Sequence, residues 1–247
     1  MIIDGTIEER TALLYAPYSD EPETLGSEAL SCEDIRRGIA MAAEVGFDIH
    51  IHAIGDQAVG RAIDAFCLAG EIRGTKTIAH NQVYTDTDME RMIHAGDIFF
   101  QTTPQWMTGD AHTARCLGRE RFLKQFPVGT MQRRGVLVSF GSDSCLEPET
   151  ADAFYGMYCA CTRGDSSIWK EKNLPPSTEK ITRMESLYAY TLHGAMQLSL
   201  EQETGSISEG KAADFLLLDR NVMECPAEKL KETKVLQTFF RGRPQLE

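Results

Sequence analysis

The chain has 247 residues, of which 42% are hydrophobic and 25% are charged, as in an ordinary globular protein that forms one large α/β domain or two small ones. Its formal net charge of −12 argues against nucleic acid or an anionic membrane as a partner. Because no run of about 18 apolar residues is present, the sequence predicts no membrane span.

Predicted strands and helices alternate along the first 200 residues. Strands are indicated by short apolar runs, and helices by apolar residues at helical spacing that follow a capping residue or end at a glycine. In chain order the sequence predicts a strand at Met1–Ile3, a helix from Ser31 to Gly46, a strand at Asp48–Ala53, a helix from Val59 to Gly70, a strand at Lys76–His80, a helix at Asp86–Ala95, a strand at Ile98–Thr102, short helices within Pro104–Thr130, a strand at Val136–Phe140, a helix at Glu149–Cys161, a loop at Ser166–Lys180 and a helix at Thr182–Leu198. This order predicts an α/β fold with a parallel sheet and right-handed crossovers.

The pattern changes after Leu200. A turn-rich stretch at Glu203–Lys211 is followed by apolar strands at Phe215–Leu218 and Val235–Phe240. The sequence therefore predicts two units, a larger α/β unit over residues 1–200 and a small β unit over residues 201–247. Seven scattered cysteines indicate reduced thiols, several of them in the core, and hence a cytoplasmic protein.

Polar side chains capable of chemistry appear where the predicted strands end. His52 and His80 end two strands, Gln101 and Thr102 end a third, and Asp143 follows a fourth. Active sites lie at the carboxyl ends of the strands in barrels and in open α/β sheets. A lone strand histidine is typically a hydrogen-bonded core residue, but two imidazoles and a carboxylate repeated in this way favour a catalytic zinc site.

His50 and His52 form an H-x-H pair on one predicted strand. Residues two apart on a strand point to the same face, so both histidines, one of them or neither could be a metal ligand. This spacing by itself leaves the three possibilities open.

Several runs of the sequence resemble, in this order, the amidohydrolase superfamily. They are HIHAIGDQAVGRAIDAF, IAHNQ, QTTPQW, LVSFGSDS and GSISEGKAADFLLLD. The match is with the amidohydrolase-3 branch of YtcJ-like metal-dependent hydrolases, some of which are labelled exoenzyme regulatory proteins. The resemblance implies a (β/α)8 barrel with a small β-sandwich, one or two divalent metals, and hydrolysis of C–N bonds other than peptide bonds.

The resemblance also assigns roles to the histidines. It implies that His52 is the metal ligand of the fifth barrel strand, that His80 is the ligand of the sixth, and that Asp143 on the eighth is both a ligand and the proton acceptor for the attacking water. His50 is then expected one layer deeper, hydrogen-bonded to a group behind the ligands.

The substrate implied by the resemblance is a small molecule. Gln101, Thr102 and the segment Pro104–Thr130 are expected to line its binding site, and His112 within that segment is a candidate contact. For a histidine in such a segment, a solvated loop position is favoured over a substrate contact.

Two family features lie outside the sequence. The H-x-H of the first strand and the lysine of the fourth strand would both precede Met1, and five parallel strands cannot close an eight-stranded barrel. We therefore expect the C-terminal portion of a larger hydrolase, with a partial (β/α)8 TIM-like barrel, a remnant of the β-sandwich, and a zinc ion that is weakly bound or absent. Leu246 and Glu247 are interpreted as a cloning remnant.

Two other functions fit the same pattern. One is a catalytically inactive structural or regulatory module, and the other is a barrel enzyme of non-hydrolytic chemistry. In each case the open sheet would expose unpaired edges, which predicts a homodimer formed through that sheet.

Overall fold

A computed structural model describes residues 1–143, 151–164, 174 and 176–245 of the chain. Four parallel strands form one sheet in chain order: β1 (Ile49–Ala53), β2 (Lys76–His80), β3 (Ile98–Thr102) and β4 (Val138–Phe140). The segment Met1–Ile3 lies beside β1, where Ile3 N donates to His52 O at 3.1 Å and His52 N donates to Met1 O at 2.8 Å. The predicted α/β fold with a parallel sheet is confirmed.

Helices follow the strands of this sheet. They are α1 (Cys32–Val45), α2 (Asp56–Leu68), α3 (Asp86–Ala95), α4 (Ala111–Leu123), α5 (Val128–Arg133), α6 (Ala153–Thr162), α7 (Arg183–Tyr190) and α8 (Leu192–Gln197), with 3₁₀ turns at Pro104–Thr108, Ser177–Glu179 and Ala227–Glu232. As predicted, Ser31 caps α1, its side chain accepting a hydrogen bond from Asp34 N. None of these helices has the length and hydropathy of a membrane span.

The structure differs from the predicted elements in three places. The predicted helix Thr182–Leu198 is two helices, because Thr191 has φ −120° and ψ −85° and interrupts the helical backbone. The fourth strand begins at Val138 instead of Val136. Residues 149 and 150 of the predicted helix Glu149–Cys161 lie outside the described residues, and α6 begins after Asp152, whose carboxylate accepts from Phe154 N and Tyr155 N.

The parallel sheet has two unlike faces. Ile51, Ile78, Phe100 and Val138 lie in register on neighbouring strands and are completely buried in the main hydrophobic core. The opposite face carries His50, which is exposed. The helices therefore cover one face, and the polar residues lie on the other face and at the carboxyl ends of the strands.

A second, antiparallel sheet follows, with strands β5 (Phe215–Leu218), β6 (Val235–Phe240) and β7 (Arg243–Pro244). A small cluster of Tyr158, Cys159, Val222 and Leu230 packs α6 against this C-terminal region. The two apolar strands appear where the sequence predicts them.

The cysteines are thiols, and only some of them belong to the core. Cys116 and Cys159 are buried, whereas Cys32 and Cys67 are exposed, contrary to a general core placement. The seventh, Cys145, lies outside the described residues.

Candidate metal and substrate site

His52 and His80 meet at the carboxyl ends of two neighbouring strands. Their ring centroids are 4.4 Å apart, with an angle of 64° between the ring planes. His80 pairs with Ala53 and not with His52, so a regular pleat would direct its side chain to the helix-covered face. His80 has φ +72° instead, a left-handed conformation that ends the strand and brings its ring to His52.

Asn81 supports this unusual strand end. It also has a positive φ of 51°. Its side-chain amide donates to Gln101 O at 3.0 Å and to Ile78 O, and its Oδ1 accepts from Tyr84 Oη at 2.6 Å. A left-handed non-glycine residue costs conformational energy, and such residues concentrate at functional sites. The strain at His80 and Asn81 is offset by buried hydrogen bonds.

His80 is buried and stacks on Trp106, with ring centroids 5.4 Å apart and planes 14° from parallel. Burial lowers the pKa of His80 to about 4, and the charges of His52 and His50 act in the same direction, so the ring is neutral at neutral pH. The buried Nδ1 of His80 has no hydrogen-bond partner. A neutral imidazole with a nitrogen left unpartnered fits the requirement for a metal ligand.

Asp4 is a member of this site that the sequence reasoning did not identify. It is 2% exposed, and its carboxylate accepts from Leu13 N at 2.9 Å, Ile54 N at 3.1 Å and Gly55 N at 2.8 Å. Its Oδ1 also lies 3.3 Å from Nδ1 of His52. Asp4 directly follows the predicted strand Met1–Ile3, just as His52 and His80 end theirs.

A close approach of two backbone segments requires the glycine of the motif H-A-I-G-D. A Cβ on Gly55 would lie 2.1 Å from the carbonyl oxygen of Leu13. Asp56 is not the cap of α2: Gly55 occupies the N-cap position, and Asp56 Oδ1 accepts from Tyr15 N and Gln57 N, both at 2.9 Å. Asp56 therefore fastens the segment after Leu13 to the start of α2.

Asp143 lies three residues beyond β4, in a left-handed conformation with φ +56°. It is exposed. Desolvation lowers the pKa of His50, and the negative charge of Asp143 partly opposes that shift. Nδ1 of His50 lies 3.5 Å from Nε2 of Gln197. Among the described residues, no three His, Cys, Asp or Glu side chains are arranged to hold a metal ion, so His52 and His80 come together without Asp143 as a third ligand.

The other predicted substrate residues are placed differently. Gln101 shares a row with His52 across the sheet, through Ala79 on β2. Thr102 is completely buried, and its Oγ1 has no hydrogen-bond partner. His112 lies in the first turn of α4, with Nε2 2.9 Å from Glu8 O and Nδ1 2.9 Å from a guanidinium nitrogen of Arg115.

A cavity of about 300 Å³ lies beside Trp106, the residue that stacks on His80. Its lining residues are Thr6, Glu8, Ile54, Gln82, Gln105, Trp106, Thr108, Gly109, Asp110, Thr113 and Gln125. Much of this lining comes from the segment after β3, whereas Gln101, Thr102 and His112 do not contribute to it. We call this cavity the strand-end pocket.

Comparison with known proteins identifies a family and several relatives of similar sequence. A family model described as Amidohydrolase family matches residues 1–245. YtcJ from Bacillus subtilis is 30% identical over 244 residues, which cover 97% of this chain and 45% of YtcJ. The N-substituted formamide deformylase of Arthrobacter pascens is 26% identical over 223 residues, covering 88% of this chain and 40% of that protein.

A solved structure shows the same relationship. The crystal structure of a metal-dependent hydrolase from Pyrococcus horikoshii superimposes with a TM-score of 0.80 at 27% identity, covering 92% of this chain and 45% of that chain. The chain thus spans about half the length of the relatives that it matches.

Proposed function

The chain belongs to the amidohydrolase family, and from this premise we propose that it is part of a metal-dependent enzyme that hydrolyses C–N bonds other than peptide bonds. The observation that carries the proposal is the contact between His52 and His80, two imidazoles from adjacent strands, with the buried Nδ1 of His80 left without a hydrogen-bond partner. The similar protein from Arthrobacter pascens, named a deformylase of N-substituted formamides, supports the C–N bond as the target.

The donor set suits a divalent metal, and we propose zinc. His52 and His80 would hold the ion and Asp143 would approach it, a set of two nitrogens and one oxygen that zinc accepts. When bound, such a metal polarises the scissile carbonyl and lowers the pKa of a bound water towards about 7. Asp143 follows β4 in a left-handed conformation and is exposed.

The chain's own residues have distinct tasks in this proposal. Asp143 accepts the proton of the attacking water at its carboxylate and passes it to the leaving nitrogen. Three backbone N–H donors fix the Asp4 carboxylate, and this carboxylate in turn positions the His52 ring. Trp106 covers one face of His80 and excludes water from it. Gln101 lies in the same row as His52, within reach of a small substrate.

The architecture is part of the proposal. We propose that residues 1–200 form part of a (β/α)8 barrel and that residues 201–247 form part of a β-sandwich, as in a hydrolase about twice as long. The coverage of 45% of YtcJ and 45% of the Pyrococcus horikoshii hydrolase supports this arrangement. The remaining metal ligands and the far wall of the substrate site would then come from the other half of the barrel.

Zinc binding tests the proposal directly. Equilibrium dialysis should show about one zinc per chain, and His52→Asn or His80→Asn should weaken the affinity by at least about tenfold because each removes one of few ligands. His94→Asn is the matched control, since His94 is exposed at the end of α3. Unchanged zinc affinity in both site variants would exclude this pair as ligands and favour the structural or regulatory module.

Turnover tests the reaction class. We expect slow hydrolysis, or none, of N-acyl and cyclic amides by the zinc-loaded chain, and any turnover should fall by at least about a hundredfold in Asp143→Asn because the proton acceptor is lost. Robust turnover that survives this substitution would assign the proton transfer to another group. Activity only in reactions other than hydrolysis would support the alternative, a barrel enzyme of non-hydrolytic chemistry.

A further inference from the structure

The strand-end pocket has a chemical character that the family resemblance does not specify. We propose that it binds a positively charged nitrogen group, so that the preferred substrates are small amides carrying an ammonium or guanidinium group. The inference rests on the proposed hydrolase function and adds a substrate class to it.

The pocket is positioned to hold one end of a substrate whose other end reaches the histidines. Glu8 follows the first strand segment, Ile54 lies two residues after His52, and Gln82 lies two residues after His80. Trp106 belongs to the wall of the pocket and also stacks on His80. Trp106 therefore joins the wall of the pocket to the buried imidazole of His80.

The charge of the lining is of one sign. Of the eleven lining residues, the ionisable ones are Glu8 and Asp110, both carboxylates. Glu8 Oε1 accepts from Thr113 Oγ1 at 2.7 Å, and Asp110 Oδ1 accepts from His112 N at 2.7 Å and from Thr113 N at 2.9 Å. These contacts orient both carboxylates without neutralising them.

Nearby cations already have other partners. Arg10 pairs with Asp20 at 2.7 Å and with Glu21 at 3.0 Å, and Arg115 contacts the ring of His112. Among the described residues, neither Glu8 nor Asp110 forms an ion pair with a lysine or arginine. A cation arriving in the pocket would thus meet two carboxylates that the protein has not paired.

The glutamine amides of the pocket direct their N–H groups into the protein. Gln82 Nε2 donates to Gln125 Oε1 at 2.6 Å, Gln125 Nε2 donates to Phe122 O at 2.9 Å, and Gln105 Nε2 donates to Asp152 O at 3.0 Å. These N–H groups are thus used within the protein, and the indole of Trp106 adds a face that attracts cations. A ligand that brings both N–H donors and positive charge fits this lining, whereas an anion would be repelled.

The volume limits the size of the group. A cavity of about 300 Å³ is at the small end of ligand pockets, which suits a short alkylammonium or guanidinium chain. N-acetylputrescine and N-butylacetamide form a matched pair of probes, because both are acetamides with a four-carbon chain and only the first ends in an ammonium group.

Isothermal titration of the metal-free 247-residue chain with both probes is the test. We expect N-acetylputrescine to bind about tenfold more tightly than N-butylacetamide, with the preference weakened by added salt. Glu8→Gln and Asp110→Asn should each reduce the preference about threefold and together abolish it. Asparagine retains the capping oxygen at position 110, so this variant keeps the start of α4.

Glu9→Gln is the control, because it makes the same charge change one residue from Glu8 at an exposed position outside the pocket lining. It should leave the preference intact. Equal binding of the two probes, no binding of either at millimolar concentration, or a preference that survives the double variant would each overturn the inference. If zinc binding fails while the preference holds, the hydrolase proposal fails and the cation pocket stands.

Discussion

The two sheets of this protein differ in how far their apolar side chains are buried. In the parallel sheet, Ile51 and Phe100 are completely buried beneath the helices. In the antiparallel sheet, Leu216 and Leu217 are 48% and 54% exposed, and Phe240 is 56% exposed. The difference teaches that the parallel sheet is packed into a core, whereas the antiparallel strands carry apolar surface that none of the described residues covers.

This contrast explains where a precise site can form. Residues at the ends of the parallel strands are fixed by a packed core and by buried hydrogen bonds, as His80 and Asn81 show. Side chains on an uncovered sheet lack such support. We therefore expect substitutions at the strand-end site to cost far more stability than comparable substitutions near the antiparallel sheet.

The largest effect is expected for Gly55→Ala. The new methyl group would lie 2.1 Å from Leu13 O, within the backbone contact that positions the H-A-I-G-D segment. We expect the free energy of unfolding to fall by about 3 kcal/mol, because two backbone segments would have to separate. Urea denaturation followed by circular dichroism measures this change.

Gly194→Ala is the matched control for that substitution. Gly194 lies within α8, and a Cβ there would meet only Ala189 O at 3.9 Å. Alanine has the higher helix propensity, so stability should be unchanged or rise by up to about 1 kcal/mol. Equal losses in the two variants would show that the close approach at Gly55 is not the source of the cost.

A smaller effect is expected for Asp4→Asn, compared with Asp214→Asn near the antiparallel sheet. Asp4 is buried and accepts from three backbone N–H groups, whereas Asp214 is half-buried and accepts from Arg241 N at 2.7 Å. Losing acceptor capacity in the buried site should cost about 2 kcal/mol, against about 1 kcal/mol at Asp214. Thermal unfolding of both variants side by side decides whether the two regions differ as proposed.

The sequence predicted the strand-end placement of His52 and His80 because apolar runs and their polar terminators are local signals. It did not identify Asp4 or Trp106, because their roles depend on the packing of segments far apart in the chain. The break at Thr191 was missed for a related reason, since the apolar periodicity continues through it. The role of Asp143 as a ligand stays a prediction.

The smallest effect concerns assembly, which the sequence predicts as a homodimer through the open parallel sheet. We propose that the chain self-associates and that the antiparallel sheet contributes more of the contact, because uncovered apolar surface usually marks an interface. Leu217→Lys should raise the dimer dissociation constant by about tenfold, since it places a charge in that surface. Sedimentation velocity at micromolar concentrations measures the change.

Ile2→Lys makes the same change at the edge of the parallel sheet, where Ile2 is 60% exposed beside β1. The open face there carries His50 and Gln101, polar groups that gain little from leaving water, so this lysine should weaken association less than Leu217→Lys does. The reverse order would move the contact to the parallel sheet and restore the arrangement predicted from the sequence. A strictly monomeric wild-type chain would show that the exposed leucines of β5 are tolerated in water without a partner.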